Sequence, residues 1–428
     1  MCYAIPAQII EIKYPKAIID YYGEKRNILL DDTKVKVGDY VYAQGGVFVR
    51  KIPASEAKKI LKVFEDIFFE LKKVDASLSK LDQDKIPANL LAVLQKVNLQ
   101  KSLKKEELLT IAKLNNPAEL SVLYEIANHI RQREHGNASC VHGIIEFSNY
   151  CQNSCFYCGI RQEQKIPRYR MSINEIVQAA KKAVKDFDFK ALVLQSGEDY
   201  YYTDEILAEI VRKVKKIGVL VFISIGSRSK ETYEKLYIAG ARAALIRFET
   251  SNPHVFQTLR PPTTLDQRID LIKHVRKIGY VLATGFILGL PGDDSEEAIL
   301  NNILLTKSLA PDMYSFGPLI PSKNTPLATR SPISIELVLK TIALARIADP
   351  NSNILVTTAL ETLDANAKKQ GLLAGANSMM INLTPTKYKK LYHIYDNRAG
   401  LDAEVAQSVQ ETVDLLKSLG RSPTDIGL

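Results

Sequence analysis

The feature that most restricts the fold of this chain is a regular alternation of strand-like and helix-like stretches. Helix-like stretches separate eight short apolar runs: CVHGIIEF, ALVLQS, VLVFISIG, AALIRFE, VLATGFIL, MYSFGP, NILVTTA and NSMMIN. Two more helices are expected before the first run, the second starting after Asn116 with Pro117 in its first turn. Eight parallel strands with helices between them need about 250 residues to form a TIM barrel. We therefore predict an α/β protein whose (βα)8 barrel occupies residues 99–428, with barrel closure inferred from the number of strands.

The N-terminal part has a different pattern. Short runs of β-branched and aromatic residues, broken by Gly and Asp, occupy residues 1–52: AQIIEI, AIIDYY, RNILL, GDYVYAQGG and VFVRKI. This pattern is typical of a small OB-like β-barrel. Ser55 is expected to cap a helix with apolar residues at a spacing of three or four, namely Ile60, Phe64, Ile67, Phe68 and Leu71. We predict a first domain over residues 1–75 and a polar linker over residues 76–98.

Composition and charge narrow the functional classes. The first residues, MCYAIPAQII, lack the charged start and apolar core of a secretory leader, and no apolar run reaches the roughly 18 residues of a membrane span. Five cysteines, an odd number, and no leader predict a reducing cytoplasm, where clustered thiols bind metals more often than they form disulfides. The net charge of +9 comes from lysines interleaved with acidic residues along helices. Because no dense basic stripe is present, we expect no nucleic-acid partner.

Three cysteines lie within eight residues directly after the first predicted barrel strand: Cys151, Cys155 and Cys158. Three thiolates can bind three irons of a cubic [4Fe-4S] cluster, which normally has four ligands, so one iron would stay open. An open iron can bind the amino and carboxylate groups of S-adenosylmethionine (SAM) and reduce its sulfonium, which yields a 5'-deoxyadenosyl radical. A structural zinc site is the alternative, but it needs four Cys or His ligands and no fourth follows nearby. We expect Cys140, at the start of the strand, to be a buried packing residue.

Polar residues and glycines also mark the ends of the other predicted strands. TIM barrels carry their active sites at this edge. In chain order these residues are Ser196, Gly197, Glu198, Ser224, Gly226, Arg247, Glu249, Thr250, Gly285, Gly289, Gly317, Thr357, Thr358 and Asn382. Strand ends are exposed and often polar without a function, but recurrence at every strand favours an active site.

The cysteine spacing matches the CxxxCxxC signature of radical SAM enzymes. Several stretches over about residues 100–400 resemble the HydE family of [FeFe]-hydrogenase maturases more narrowly: IEFSNYCQNSCFYCGIR, LQSGEDYYYTDE, RFETSNP, GLPGDDSEE, GPLIPSKNTPLA, TTALETL and NLTPTKYKKLYHIY. The resemblance implies a barrel of the radical SAM type that uses a [4Fe-4S] cluster and SAM. In HydE the adenosyl radical is thought to act on the sulfur of a cysteine-bound iron carbonyl cyanide unit.

The same resemblance implies roles for individual residues. Glu198 would bind the amino group of SAM, while Arg247, Glu249 and Arg268 would hold its carboxylate and neighbouring polar groups, in keeping with the pairing of guanidinium and carboxylate groups. The full set of implied SAM-binding residues is Gln195, Ser196, Gly197, Glu198, Ser224, Arg247, Glu249, Arg268 and Gly289. The implied catalytic residues are Arg247, Glu249, Thr357, Thr358, Tyr392 and Tyr395, although both tyrosines also suit a core or rim position. Many HydE proteins have additional C-terminal cysteines for a second cluster. No cysteine follows Cys158, so we expect a single cluster.

The N-terminal domain resembles HypC, the small chaperone family of [NiFe]-hydrogenase maturation, over about residues 1–73. The resemblance rests on MCYAIPAQIIEI, on VKVGDYVYAQGGVFVRKI and on the helix from Ser55. In HypC the cysteine after the initiator Met carries an iron with cyanide and carbonyl ligands, which implies an iron-transfer site at Cys2. HypC usually has a His after its GDYV strand, where this chain has Gln44. Hydrogenase or other maturation proteins are the implied partners of this domain.

Three functions remain open from the sequence. The preferred one is assembly of a hydrogenase-type organometallic iron cofactor, because both domains resemble proteins that handle iron with diatomic ligands. The second is a reaction on a small carbon substrate, of the methylornithine synthase or biotin synthase type. Biotin synthase uses a second cluster held by additional cysteines, so methylornithine synthase is the nearer of the two. The third is a non-catalytic carrier or docking protein for an iron cofactor.

Overall fold

The N-terminal domain is a closed five-stranded barrel, as the sequence predicts. The computed structural model describes residues 3–30 and 34–426, so Cys2 lies outside the described residues. The strands are β1 (Ala7–Lys13), β2 (Lys16–Tyr21), β3 (Glu24–Leu29), β4 (Tyr40–Gln44) and β5 (Val47–Ile52), in the order β1-β2-β3-β5-β4. Side chains alternate between the interior and solvent along β2, where Ala17, Ile19 and Tyr21 are buried. Tyr3 packs edge-on against Tyr21 in the same core.

A long helix, α1 (Ala54–Leu78), covers this barrel with the buried Phe68 and the partly buried Leu61 and Phe64. Its N-cap is Pro53, which supplies no side-chain hydrogen bond, so the predicted cap at Ser55 is wrong. The predicted linker is also largely ordered structure, because it holds the end of α1, a 3-10 turn at Gln83–Lys85 and helix α2 (Ala88–Asn98). The apolar residues of α2 recur at helical spacing and are buried in the core of the large domain.

The large domain is the predicted (βα)8 barrel. Its strands are β6 (Ala138–Ser148), β7 (Ala191–Ser196), β8 (Leu220–Ser224), β9 (Ala243–Leu245), β10 (Val281–Thr284), β11 (Ile287–Leu288), β12 (Met313–Tyr314), β13 (Gly317–Pro318), β14 (Asn353–Ile354), β15 (Ser378–Asn382) and β16 (Ser422–Pro423). The fifth and sixth barrel positions are each broken into two short strands, β10 with β11 and β12 with β13. All pairings within this domain's sheets are parallel.

The barrel is nearly closed. The order of the main sheet is β14-β12-β10-β9-β8-β7-β6-β15, and a bridge between Leu355 and Ser378 brings its two edges together. The Val356 amide donates to the Ser378 carbonyl at 2.8 Å across this seam. β16 adds to the N-terminal end of β6, which lies at the floor of the barrel, opposite the edge where the active site is expected.

Helices surround the barrel. They are α3 (Lys105–Ala112), α4 (Pro117–His135), α5 (Ile173–Phe187), α6 (Asp204–Lys215), α7 (Lys230–Ala239), α8 (Pro253–Leu259), α9 (Leu265–Ile278), α10 (Glu296–Ser308), α11 (Ile335–Ala348), α12 (Thr358–Leu363), α13 (Ala367–Leu373), α14 (Thr386–Lys389) and α15 (Val405–Ser418). The predicted start of α4 is confirmed: Pro117 is its first residue, and Asn116 accepts from the Ala118 amide at 2.9 Å. Within the part of the chain that the structure describes, no helix is both long and apolar enough to cross a membrane.

The two domains are joined by a buried ionic network and by apolar packing. Asp75 of α1 accepts two hydrogen bonds of 2.8 Å from Arg131 of α4, and its Oδ1 lies 2.9 Å from Arg421 Nε. All three side chains are at most 1% exposed. At the barrel floor, Val47 of the small barrel packs with Ala191 and other floor residues. The small barrel therefore covers the end of the large barrel that is opposite the cysteine loop.

Candidate active site

The cysteine loop leaves β6 and lies against the ends of the neighbouring strands. At Gly197, after β7, a Cβ atom would stand 2.3 Å from the Tyr150 carbonyl oxygen and 2.7 Å from Cys151 Cβ. At Gly226, after β8, where φ is +76°, a Cβ atom would stand 2.2 Å from Glu198 Cγ. Only glycine permits this spacing, so the two residues let the loop and Glu198 pack over the barrel mouth.

Glu198 is an acidic residue at the barrel mouth that accepts hydrogen bonds from both a backbone amide and an arginine. Its Oε1 accepts from the Ser227 amide at 2.7 Å and from Arg260 Nη2 at 2.6 Å. Glu198 and Arg260 are each 6% exposed. Burial by itself would raise the pKa of Glu198, but the positive charges of Arg260 and Arg268 hold it below its ordinary value. The side chain is therefore an ionised carboxylate at neutral pH, suitable for an ammonium group.

Arg247, Glu249 and Arg268 form a second polar group beside Glu198. Arg247 Nε lies 3.2 Å from Glu249 Oε2, and Arg268 Nε donates to the Arg247 carbonyl at 2.7 Å. Arg268 also donates to the Ser227 hydroxyl. Glu249 is 7% exposed and has a φ of +68°, a strained conformation for a residue with a side chain. Its Oε2 is buried and makes no hydrogen bond, so the contact with Arg247 Nε is purely ionic.

The donors around the three thiols fit an iron–sulfur cluster. Cys151, Cys155 and Cys158 are free thiols that line one cavity. Burial raises the pKa of all three, so they need a cation to be held as thiolates. The Glu198 amide donates to Cys151 Sγ and Arg260 Nη1 donates to Cys155 Sγ, both at 3.4 Å. Hydrogen bonds to the sulfurs are among the features that tune such clusters.

A single zinc ion fits less well. Among the described residues, only one group of three His, Cys, Asp or Glu side chains has its ligand atoms within 4.8 Å of one another, and that group does not include these cysteines. Their sulfurs are therefore spread more widely than the ligands of one tetrahedral ion.

The cavity has a volume of about 300 Å³ and extends from the cysteines into the barrel. Its inner wall includes Thr357 and Thr358 at the start of α12, together with Tyr392 and Tyr395. The Thr357 hydroxyl is buried without a hydrogen-bond partner, and Tyr392 is 2% exposed. Apolar side chains, including Ile144 and Met380, close the inner end. Both threonines and both tyrosines thus line the same cavity as the three cysteines.

The structure brings together most of the residues that the sequence singles out. The predicted residues that line the cavity are Cys151, Cys155, Cys158, Gln195, Ser196, Gly197, Glu198, Ser224, Gly226, Arg247, Glu249, Arg268, Gly317, Thr357, Thr358, Tyr392 and Tyr395. Thr250, Gly285, Gly289 and Asn382 do not line it. Gly289 lies in a turn, with a φ of +84° and so close to Ile333 that a Cβ atom would stand 2.4 Å from Cγ2.

Three charged residues of the site are missing from the sequence prediction. Arg260 follows α8 and joins Glu198 to Cys155. Arg398 lines the cavity, and its Nη2 lies 2.6 Å from Oε1 of the fully buried Glu146. Glu146 occupies an inward position on β6 that can be found from strand alternation, because a charged residue inside an apolar strand needs a partner. Arg260 and Arg398 lie in loops, where no periodic pattern identifies them.

Comparison with known families agrees with this geometry. Residues 145–301 match the radical SAM superfamily, residues 1–64 match the HupF/HypC family, and residues 315–422 match the Biotin and Thiamin Synthesis associated domain. The chain is therefore an enzyme of the radical SAM superfamily with an N-terminal HypC-type domain. Radical SAM enzymes use a [4Fe-4S] cluster and SAM, and the three-cysteine loop with its hydrogen-bond donors fits that requirement.

Individual relatives narrow the assignment. The chain is 38% identical over 311 residues to the [FeFe] hydrogenase maturase subunit HydE of Thermotoga maritima, an alignment that covers 72% of this chain and 89% of the relative. The chain belongs to the HydE family. It is also 29% identical to 3-methylornithine synthase of Methanosarcina acetivorans, over 74% of this chain and 89% of that protein. The crystal structure of methylornithine synthase (PylB) superposes with a TM-score of 0.70 at 26% identity, covering 77% of this chain and 97% of the other.

Proposed function

We propose that this enzyme acts in the assembly of a hydrogenase-type organometallic iron cofactor, with a cysteine-bound iron carbonyl cyanide compound as the class of substrate. The 38% identity with HydE over 311 residues, 72% of this chain, carries this proposal. When bound, the cluster supplies the electron that cleaves SAM and generates the adenosyl radical.

We assign two binding regions to the cavity. Glu198 would bind the SAM ammonium, with Arg260 fixing the orientation of its carboxylate. Arg247 and Arg268 would hold the SAM carboxylate through charge-assisted hydrogen bonds. Thr357, Tyr392 and their neighbours would face the substrate at the inner end, where the apolar floor excludes water.

Arg398 gives the inner region a property that suits a substrate with anionic cyanide ligands. Its guanidinium lines the cavity while its other side is held by Glu146. Burial by itself would lower the pKa of Arg398, but the Glu146 carboxylate holds it above its ordinary value, so the guanidinium remains charged. A cation fixed at the inner end favours a substrate with negative charge there.

A reaction on a small carbon substrate remains the second candidate, because 3-methylornithine synthase is 29% identical over 321 residues, 74% of this chain. The test is anaerobic turnover of reduced, reconstituted enzyme with SAM. We expect a synthetic iron(II) cysteine carbonyl cyanide compound to accelerate 5'-deoxyadenosine formation and to be altered itself. Turnover that responds only to amino acids such as lysine would support the carbon-substrate function instead.

We further propose that the N-terminal domain receives or delivers the iron unit and provides a docking surface for hydrogenase or other maturation proteins in a reducing cytoplasm. Its similarity to the HypC family supports this role. Gln44 has a different use from the His usual in HypC, because it is buried and its amide donates to the Thr424 carbonyl at the barrel floor. In this chain Gln44 therefore joins the two domains. Cys2 would act without a His at position 44.

A further inference from the structure

The floor of the large barrel holds a second cluster of metal-binding side chains: Cys140, His142 and Asp425. Cys140 and His142 occupy alternate inward positions on β6, and Asp425 follows β16. One ligand atom from each lies within 4.8 Å of the others. The three residues are 6%, 4% and 0% exposed, so the cluster is sealed from solvent. The expected burial of Cys140 is confirmed, but its neighbours are not purely apolar.

The Asp425 carboxylate is held in a fixed orientation. Its Oδ2 accepts from the Val141 amide at 2.7 Å and from the Thr424 hydroxyl at 2.9 Å. Its Oδ1 is buried and has no hydrogen-bond partner. A buried carboxylate oxygen without a partner is costly, because the charged form loses hydration without compensation.

His142 adds a second unsatisfied atom. Its Nδ1 lies 3.0 Å from Asp425 Oδ2, yet it has no hydrogen bond of acceptable geometry. A nitrogen and an oxygen at contact distance but misaligned for a hydrogen bond are arranged like adjacent ligands of one ion. For a tetrahedral zinc ion with the usual bond lengths, adjacent ligand atoms stand about 3.3–3.7 Å apart. Cys140 Sγ lies within 4.8 Å of a ligand atom of each of the other two residues.

We propose that Cys140, His142 and Asp425 bind one divalent first-row transition-metal ion, of the Zn²⁺ or Fe²⁺ class, at the barrel floor. A thiolate, an imidazole and a carboxylate are the donors that such ions prefer, whereas Mg²⁺ and Ca²⁺ prefer oxygen ligands alone. Three protein ligands leave a fourth coordination position. The ion compensates the buried charge of Asp425 and the thiolate.

This site is separate from the cysteine cluster and lies near the domain junction. Ile144, which lines the active-site cavity, is four residues beyond Cys140 on the same strand, a distance of about 13 Å. An apolar layer that includes Val193 and Phe222 lies around this part of the barrel interior. On the other side, Gln44 of the N-terminal domain is bonded to Thr424, the neighbour of Asp425. The ion therefore ties β6 to the C-terminal segment beneath the small barrel.

The test uses the full chain with its [4Fe-4S] cluster already assembled, so that the cluster cysteines are occupied. The protein is incubated with Zn²⁺ and desalted, and its zinc content is measured by elemental analysis. We expect about one zinc per chain, and the zinc X-ray absorption spectrum should show one sulfur with nitrogen and oxygen ligands. Zinc bound at the cluster cysteines would instead show three sulfurs.

Variants then assign the ligands. Cys140→Ala and His142→Gln should lose the retained zinc, whereas Ser139→Ala, on the same strand but outside the group, should keep it. The iron and sulfide of the cluster should be unchanged in all three. If the ligand variants fail to fold by circular dichroism, the zinc content and sulfur number of the wild-type protein decide alone. Wild-type protein that retains no zinc, a three-sulfur spectrum, or folded Cys140→Ala protein with full zinc content would each overturn the proposal.

Discussion

Arg260 and Glu198 form a buried ion pair at the barrel mouth, with Nη2 and Oε1 2.6 Å apart. The second terminal nitrogen of Arg260 donates to Cys155 Sγ at 3.4 Å. One planar side chain thus joins a cluster cysteine to the carboxylate proposed to bind the SAM ammonium. A shift of the cysteine loop would therefore also shift Glu198 through Arg260.

Replacement of Glu198 with Ala should weaken SAM binding. Charge-assisted hydrogen bonds contribute roughly 1.5–3 kcal/mol each, which corresponds to about a tenfold to hundredfold loss of affinity. Calorimetry on cluster-loaded protein measures this loss. Glu205→Ala, on the exposed surface of α6, is the matched control and should bind SAM normally. Unchanged affinity in Glu198→Ala would remove this residue from the SAM site.

Replacement of Arg260 with Lys should prevent one side chain from contacting both Glu198 and Cys155. A lysine ammonium is a point charge and cannot reach Glu198 and Cys155 with the planar geometry of a guanidinium. We expect the [4Fe-4S] cluster to assemble, its reduction potential to become more negative because a hydrogen bond to sulfur is lost, and SAM affinity to fall. A redox titration followed by electron paramagnetic resonance measures the potential. A potential and an affinity both equal to wild type would show that Arg260 does not position either group.

Each of the cluster cysteines should be indispensable. Replacing Cys151, Cys155 or Cys158 with Ala should abolish both the bound cluster and reductive SAM cleavage. Each variant would hold only two of the four irons by protein ligands, whereas the three cysteines together leave one iron open. Wild-type protein should contain about four irons and four sulfides per chain. Cys140→Ala should keep the cluster and SAM cleavage. A reproducible content of about eight irons after desalting would contradict the expectation of a single cluster.

The buried network between the domains should contribute strongly to stability. Asp75→Asn leaves the guanidinium groups of Arg131 and Arg421 buried without their shared carboxylate, and breaking such a pair costs about 3–5 kcal/mol. Denaturant unfolding should show this loss. Glu70→Gln, which removes only an exposed contact with Lys73 on the same helix, should change stability by about 0.5 kcal/mol or less. Equal midpoints for the two variants would contradict the importance of the network.

Much of the architecture could be predicted from the sequence because it depends on local patterns. The eight apolar runs, the strand-end residues and the cysteine spacing all have fixed periods or separations, and they predicted the three cysteines and ten strand-end residues that line the cavity. Gln195, Arg268, Tyr392 and Tyr395, which also line it, were implied only by the resemblance to HydE. The helix start at Pro117 was likewise predictable from its cap, Asn116.

Features that depend on tertiary contacts were not predictable in this way. The sequence prediction missed helix α2 within the linker, because the run of residues before this helix is polar. Leu90 and Leu94 of α2 pack against the large domain. Arg260 and Arg398 lie in loops, and their roles come from partners about 60 and 250 residues away in sequence, Glu198 and Glu146. Asp425 meets Cys140 and His142 only because the last strand returns to the first strand of the barrel.

The last prediction concerns Cys2 and why the two domains share a chain. If the N-terminal domain transfers an iron unit, its thiol should be needed for cofactor assembly and not for radical chemistry, because the cluster loop lies at the opposite end of the large barrel from the small one. Cys2→Ser should therefore keep normal cluster content and reductive SAM cleavage, yet fail to support maturation of the client hydrogenase in a complementation assay.

The competing explanation is that Cys2 packs as a small apolar residue, and a second substitution distinguishes the two. Cys2→Ala preserves size and apolar character but cannot bind iron, since the thiolate is the metal ligand. Under the transfer role Cys2→Ala fails as Cys2→Ser does, whereas under the packing role it complements as well as wild type. Complementation by Cys2→Ala would remove the carrier role. The N-terminal barrel would then serve as a docking domain that also covers the barrel floor through Gln44.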